Sequence, residues 1–451
     1  MDYEVVSVGD FCRRPYLYDE PLSTVWIAKR GKRKRSYLEL YCGFDIETYT
    51  DAFHYAYMWI WQFSIYGKKK TIVIGRTWPE FVHLIDTLID DLGLNKERRI
   101  ICGIANLSYE HQFMKKHFVK RWTKTFAKEK RQPIYAVLDD CVEFRDVLMI
   151  TGGSLATLAK EYTKTQKLVG DLDYELERSY KTPIGSDKIT DKDMQYCYND
   201  VAIVAEFMEY LFNTYIKPDK FIPLTKTGLL RREVKKEIAS HGAGVKRAIM
   251  NEVYRCYIPE HNLYKTFMMY LFRGGYTHTN VRHAGRVIGV KSVDYTSSYP
   301  YTMLAYDGFP VSPLKRENPK DFEKLIIAGD KCVMFHAIFT NLEATTDHSI
   351  ESKSKCVSIS KNAIIDNGRI RQAAQIDVWL TELDFTMYRY FYTWDDMKVV
   401  EVFSSIKGRL PRYLLMPLAR AYENKAKMKH EGKGGTPEYA LYKSLVNSAF
   451  G

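Results

Sequence analysis

Val293-Asp294-Tyr295-Thr296-Ser297-Ser298-Tyr299-Pro300 runs from an apolar residue into one carboxylate, then into a hydroxyl-rich turn that ends on proline. Upstream, Arg286 to Val293 (RVIGVKSV) has the β-branched content and bounding glycine of a buried strand, and Pro300 stands where a first helical turn accepts it. This reading puts Asp294 at a strand end, facing a cleft. A carboxylate there offers hard oxygen ligands to a divalent cation, while the backbone N–H groups of the turn face phosphates. The plainer reading of an Asp at such a turn is an N-cap, so the assignment depends on what accompanies it.

Its companion lies at the far end, in Lys443-Ser444-Leu445-Val446-Asn447-Ser448-Ala449-Phe450-Gly451. Thr436-Pro437-Glu438 reads as N-cap, first-turn proline and first-turn acid. Lys443 and Asn447 then stand one turn apart on one helical face, with Phe450 close to the same stripe. Together the two stretches resemble motifs A and B of family B DNA polymerases, DxxSLYP and KxxxNSxYG. Ser298 replaces the usual Leu, and Phe450 the usual Tyr.

The chain has 451 residues, enough for roughly three domains at ~150 residues each. Its 67 Lys+Arg against 55 Asp+Glu give a net charge of +12, which favours a polyanionic partner, with nucleic acid ahead of an ordinary basic enzyme. The N-terminus lacks a basic region followed by an apolar core, and no apolar run reaches membrane-spanning length, so a soluble, intracellular (cytoplasmic) protein is expected. The 8 cysteines include no CxxC pair, which argues against a zinc site or a disulfide framework.

Lys29-Arg30-Gly31-Lys32-Arg33-Lys34-Arg35 is a basic cluster that either lies along phosphates or is a solvated loop. Tyr41 to Thr48 follows as a strand on which Asp45 and Glu47, two apart, point to one face, where two acids repel unless a cation lies between them. Tyr55 to Trp61 reads as the next strand, its aromatics core. Arg99 to Ala105 is a short buried strand running into Asn106-Leu107-Ser108-Tyr109-Glu110. Much later, Tyr196 and Asp200 share a helical face. Asp45, Glu47, Glu110 and Asp200 resemble, in order and spacing, the ExoI, ExoII and ExoIII motifs of family B proofreading domains. Where the family has Asp, Glu110 puts one more methylene at a site for two metal ions.

Ser154-Leu155-Ala156-Thr157-Leu158 and Gly170-Asp171-Leu172-Asp173-Tyr174 bring the resemblance closer, to the protein-primed branch found in small tailed bacteriophages. There the Ser-Leu pair, here Ser154 and Leu155, contacts the 3′ end of single-stranded DNA, as do the residues matching Thr48, Asn106 and Tyr109. Lys115 to Arg131 sets Phe118, Trp122 and Phe126 at helical spacing, a core stripe with six lysines on a solvated or DNA-facing side. Phe272-Arg273-Gly274-Gly275 stands where the family has a YxGG loop that binds the template strand, with Phe272 lacking the hydroxyl. Pro313 to Val400 reads as short strands and loops, including the hairpin turn Asp366-Asn367-Gly368. In this branch an insertion here contacts the priming terminal protein. Leu380-Thr381-Glu382-Leu383-Asp384, entering a helix, also matches. Arg412 to Lys429 and Thr436 to Ala449 are two helical patterns that would form the fingers.

The resemblance, from about Tyr41 to Gly451, implies an α/β fold: a ribonuclease-H-like 3′–5′ exonuclease domain followed by the palm and fingers of a right-hand polymerase. The expected divisions are a basic extension at 1–40, the exonuclease at 41–215, linker and palm at 216–312, the insertion with further palm at 313–405, and fingers at 406–451. It implies phosphoryl transfer by two Mg²⁺ or Mn²⁺ ions per site, about 3.5–4 Å apart. Asp45, Glu47, Glu110 and Asp200 would hold the editing ions while Tyr196 orients water. Asp294 would bind metal in synthesis, where Tyr299 excludes a 2′-hydroxyl and Lys443, with Lys425, binds the triphosphate beside Tyr295, Asn447 and Phe450. Implied partners are primer-template and single-stranded DNA, deoxynucleoside triphosphates and a terminal protein. Motif C, YxDTDS, with its second aspartate, does not occur in the 451 residues. A truncated reading, an interrupted gene and a split polymerase with a second chain all accommodate that. A stand-alone exonuclease and a non-catalytic DNA-binding subunit are the alternatives from other classes.

Overall fold

A computed structural model describes residues 3–13, 22–28, 34–170, 172–257, 261–277, 285–295 and 297–448. Phe450 and Gly451 of motif B, Thr296, Asp171 and residues 29–33 of the basic cluster lie outside the described residues. The chain forms two compact units, one of Met1–Arg232 with Ala421–Ala449, the other of Glu233–Arg420.

The first unit is built on a ten-stranded sheet. Its strands are β1 (Glu4–Ser7), β2 (Thr24–Ala28), β3 (Lys34–Leu38), β4 (Tyr41–Thr50), β5 (Ala56–Tyr66), β6 (Lys70–Gly75), β7 (Arg98–Ile104), β8 (Trp122–Ala127), β9 (Pro133–Leu138) and β10 (Val142–Asp146). They lie in the order β1-β6-β5-β4-β7-β10-β9-β8, with β3 joined to β7 and β2 to β3. The β4–β7–β10 centre is parallel, and strands buried on both faces read as continuous apolar runs. The helix Trp78–Asp91 packs Phe81, Leu84 and Leu88 onto one face, beside Phe44, Trp61 and Phe63 of the sheet. Each such side chain contributes about 1.5–3 kcal/mol when fully buried. Its start is fixed by a capping box between Thr77 and Glu80.

The opposite face is covered by Asp191–Leu211, whose own capping box pairs Thr190 with Asp193. Two glycines set how closely this helix sits. A methyl group at Gly43 would stand 2.9 Å from the Val201 carbonyl oxygen, and one at Gly103 2.8 Å from the Val204 side chain. The sheet therefore meets the helix without Cβ atoms where the helix carries Asp200.

The second unit holds an eight-stranded sheet. Its strands are β11 (Phe309–Pro310), β12 (Lys315–Glu317), β13 (Lys331–Ala344), β14 (Cys356–Ile359), β15 (Ile364–Asp366), β16 (Arg369–Thr381), β17 (Tyr392–Thr393) and β18 (Asp396–Gly408). The long antiparallel strands β18, β13 and β16 form its centre. Asn367 and Gly368 join β15 to β16 with φ of 45° and 73°, the mirror-image turn that an Asn-Gly pair accepts. Thr381 caps Glu382–Phe391 in a capping box with Asp384. The two helices expected near the end are Arg412–His430 and Pro437–Asn447, the second capped by Thr436.

Two expectations are corrected. Arg286–Val293 is not a strand: its backbone is irregular, with Ile288, Val290 and Val293 86%, 72% and 90% exposed. A strand needs ladder partners for its N–H and C=O groups, and among the described residues none pairs with this run. Lys115–Arg131 is not a helix. Beyond Phe118, which enters the core, it becomes the edge strand β8. The four-residue step from Trp122 to Phe126 fits a period of 3.6 or of 2; pairing with β9 selects the strand, and a register shift after Trp122 sets the two opposite Leu138 and Tyr135, on different sides of it.

Candidate active site

Asp45 and Glu47 project from β4, and a register shift in the β4–β5 ladder follows directly after Glu47. Asp200 comes down from Asp191–Leu211, and carboxylate oxygens of Asp45, Glu47 and Asp200 lie within 4.8 Å of one another. Glu110 enters from the helix Leu107–Met114, which begins at the end of β7 after Asn106 turns through φ 72°. Asp146 steadies that entry by accepting the Leu107 N–H at 3.1 Å and the Leu148 N–H at 2.9 Å.

Glu47, Glu110 and Asp200 are buried and Asp45 is half-buried. Burial, followed by the Asp200 carboxylate, pushes the Asp45 carboxyl up to about 8. Burial and then Asp45 raise Glu47 and Glu110 well above the carboxylate range. Asp200 is raised by burial, with the Lys167 ammonium pulling it back. Glu110 Oε2 and Asp200 Oδ1 are buried without a hydrogen-bond partner among the described residues. Four mutually repelling carboxylates with orphaned oxygens are the donor set of a hard divalent cation, so the residues fit Mg²⁺ or Mn²⁺.

Two further residues escaped the sequence reading. Lys167 donates to Asp200 Oδ2 at 2.6 Å and to the Tyr196 hydroxyl at 2.8 Å, with its ammonium 4.0 Å from the Tyr196 ring centroid. A single lysine in a loop carries no spacing signal. Only the fold brings it across the 33 residues to Asp200. Gln62 pairs with Asp45 across β4–β5 and is fully buried, with neither amide atom hydrogen-bonded among the described residues. A glutamine inside the apolar run Trp59–Phe63 was the available sign, since such a group needs a reason to be there.

The residues expected on a DNA 3′ end divide. Thr48 and Tyr109 meet, hydroxyl to hydroxyl at 2.7 Å, and Tyr109 is 38% exposed. Asn106 is exposed at the same helix start, its side chain not used as a cap. Ser154 caps Leu155–Tyr162 by accepting the Thr157 N–H, and among the described residues no hydrogen bond joins it to the carboxylates.

The residues expected to act in synthesis are less assembled. Asp294 is exposed and Tyr295 is 82% exposed. Tyr299 stands in the helix Ser298–Ala305 after Ser297, whose φ is 53°, and its hydroxyl would lie 2.8 Å from a methyl group placed on Gly275. Arg273 is tied down, donating to both Glu351 oxygens at 2.9 and 2.8 Å and to the Trp379 carbonyl at 3.2 Å. The Glu351 carboxylate also accepts the Tyr388 hydroxyl. With Gly274, Gly275, Lys355 and Arg369, Arg273 lines a cavity of about 410 Å³, and Phe272 is 43% exposed. Lys443 and Asn447 are exposed on Pro437–Asn447. The Lys425 ammonium is lowered by burial and then by Lys429 and Lys443, which brings the two predicted triphosphate lysines within each other's field.

No known protein-family profile matches the sequence, and no curated protein does. Among solved structures, phi29 DNA polymerase complexed with single-stranded DNA matches with a TM-score of 0.62 at 16% identity, over 92% of this chain and 67% of that one. The same polymerase complexed with primer-template DNA matches with a TM-score of 0.62 at 15% identity, over 91% and 67%. Identities this low carry the architecture: the chain has the mixed α/β fold of phi29 DNA polymerase, over 67% of that protein's length.

Proposed function

We propose that the chain is part of a DNA-directed DNA polymerase of family B, protein-primed branch, whose first unit is a 3′–5′ exonuclease. The observation that carries the reading is the convergence of Asp45, Glu47 and Asp200, with Glu110 beside them, at the motif positions of a proofreading site. Two Mg²⁺ or Mn²⁺ ions, when held there, supply Lewis-acid polarisation of the phosphate and an activated water.

The chain's own residues do the rest. Lys167 favours the ionised Asp200 and fixes the Tyr196 hydroxyl, which orients the attacking water. Thr48, Tyr109 and Asn106 grip the terminal nucleotide, with Ser154 and Leu155 on the strand behind it. In synthesis Asp294 supplies one metal-binding carboxylate and Tyr299 packs under the sugar. Lys443, Lys425, Tyr295, Asn447 and Phe450 receive the deoxynucleoside triphosphate. Phe272 to Gly275 meet the template, and the 313–405 insertion faces a terminal protein.

A stand-alone exonuclease is the second reading, favoured by the contrast between four gathered carboxylates in one unit and an exposed Asp294 in the other. The test is release of nucleotides from a 5′-labelled single strand with Mg²⁺ or Mn²⁺. Replacing Asp45 and Glu47 by Ala is expected to abolish it. Degradation at the parent rate by the double variant would refute the assignment.

A further inference from the structure

We propose that β8, β9 and the turn joining them form a basic arm that grips the backbone of single-stranded DNA behind the 3′ end, a role that rests on the exonuclease reading of the carboxylate cluster. Its first strand and turn belong to the Lys115–Arg131 stretch, of which Lys115 to Arg121 lead into β8. It is the last strand of its sheet, and Thr123 to Ala127 are all exposed. Between Lys115 and Arg131 the only acid is Glu129.

Most of its cations have no ion-pair partner among the described residues. Arg121 is committed to Asp86 and Asp139, both at 2.6 Å, and Lys115 to Gln112 at 2.9 Å. Lys116, Lys120, Lys124, Lys128, Lys130 and Arg131 are exposed, and none forms an ion pair with a carboxylate among the described residues. Lys124 lies over the Tyr135 ring at 5.4 Å, and Phe126 presents a ring that is 51% exposed. Like charges that fall within a screening length of about 10 Å repel one another. A polyanion relieves that repulsion, and an exposed ring offers a face to an unstacked base.

Its position selects the ligand. Gln112 Nε2 donates to the Arg131 carbonyl at 3.3 Å, and the Ser108 hydroxyl to the Pro133 carbonyl at 3.5 Å. Ser108 and Gln112 flank Tyr109 and Glu110 on one helix, so the tip of the arm is fixed to the element that carries the candidate nuclease residues. The turn is closed by Lys128 N–H to Gln132 O and Gln132 N–H to Glu129 O, both 3.0 Å, with Arg131 at φ 65°. The turn is thereby held against the helix that carries Tyr109 and Glu110. A lysine on an edge strand, here Lys124, also keeps other strands from adding to a sheet, and that competing role makes a different prediction.

The experiment compares the chain with a Lys128→Ala/Lys130→Ala/Arg131→Ala variant. Fluorescein-labelled oligothymidylate of about fifteen nucleotides is titrated over a range of salt, with Ca²⁺ replacing Mg²⁺, and cleavage of a trinucleotide is measured separately. The variant is expected to bind the long oligonucleotide at least tenfold more weakly at low salt. The slope of log affinity against log salt should shrink by about 2, at roughly 0.7 per lost phosphate contact, while trinucleotide cleavage stays at the parent rate. Unchanged affinity and slope would overturn the proposal by showing a merely solvated surface. Unchanged affinity with new self-association in light scattering would overturn it in favour of edge protection. Failure of the exonuclease reading looks different: the parent cuts neither substrate, yet the arm variant still loses affinity.

Discussion

At the scale of single residues, charge is resolved differently at the two buried acidic sites of the first unit. The carboxylate cluster is short of counter-charge. Glu143 has it in excess: Arg99 and Arg145 donate to it at 2.8 Å, Arg35 approaches to 3.8 Å and the Tyr37 hydroxyl donates at 2.9 Å. Burial pushes the Glu143 carboxyl up, but Arg145 and Arg99 outweigh it and hold it below the usual range. A lowered carboxylate contributes stability that is complete above its unfolded value, about 4.3, and is lost as pH falls through the folded one. Glu143→Gln is expected to lower stability by about 3 kcal/mol at neutral pH, because Arg99, 1% exposed, keeps a buried charge without a counter-ion. Denaturant melts from pH 7 down to 3 should show a shallower acid limb in the variant. Parallel limbs would place the acid sensitivity elsewhere.

At the scale of elements, the helix Asp191–Leu211 delivers Asp200 through its contact with glycines. Gly43→Ala would bring a methyl group against the Val201 carbonyl and within 3.0 Å of Val204 Cβ. The helix must lift, at about 1–3 kcal/mol, and Asp200 moves with it. Nuclease activity on single strands should then fall further than the melting temperature implies, and Gly103→Ala should behave alike. Equal activity per folded molecule would show that the helix position is not limiting. The elements legible in the sequence were those with local causes: the acidic strand β4, the apolar β7, the Asn367-Gly368 turn and the Thr436-Pro437-Glu438 helix start. Those misread depended on neighbours. Arg286–Val293 has strand composition without a ladder, and the spacing of Trp122 and Phe126 satisfies two periodicities at once. In the site, the strand period puts Asp45 and Glu47 on one face and the resemblance to proofreading motifs adds Glu110 and Asp200, whereas Lys167 and Gln62 become visible only in three dimensions.

At the scale of the whole molecule, the 451 residues carry one gathered carboxylate cluster and one lone candidate, Asp294. Asp294 alone cannot position two mutually repelling dications against a triphosphate. These residues by themselves are therefore expected not to extend a primer, even with Mn²⁺. Mixing them with a polypeptide that supplies a second palm aspartate should restore synthesis, and Asp294→Asn should remove it again. Robust extension by the 451 residues alone, or by the Asn variant in the mixture, would take Asp294 out of the chemistry. The bare run before Asp294 also bears on handling in solution. Val287, Ile288, Val290 and Val293 hold 53–90% of their surface in water, with no sheet among the described residues to cover it. Attraction between such side chains strengthens on warming and fades on cooling. The purified chain should therefore have a narrow colloidal window, clear at 4 °C and turbid at 37 °C well below its melting point, with Val290→Lys widening it.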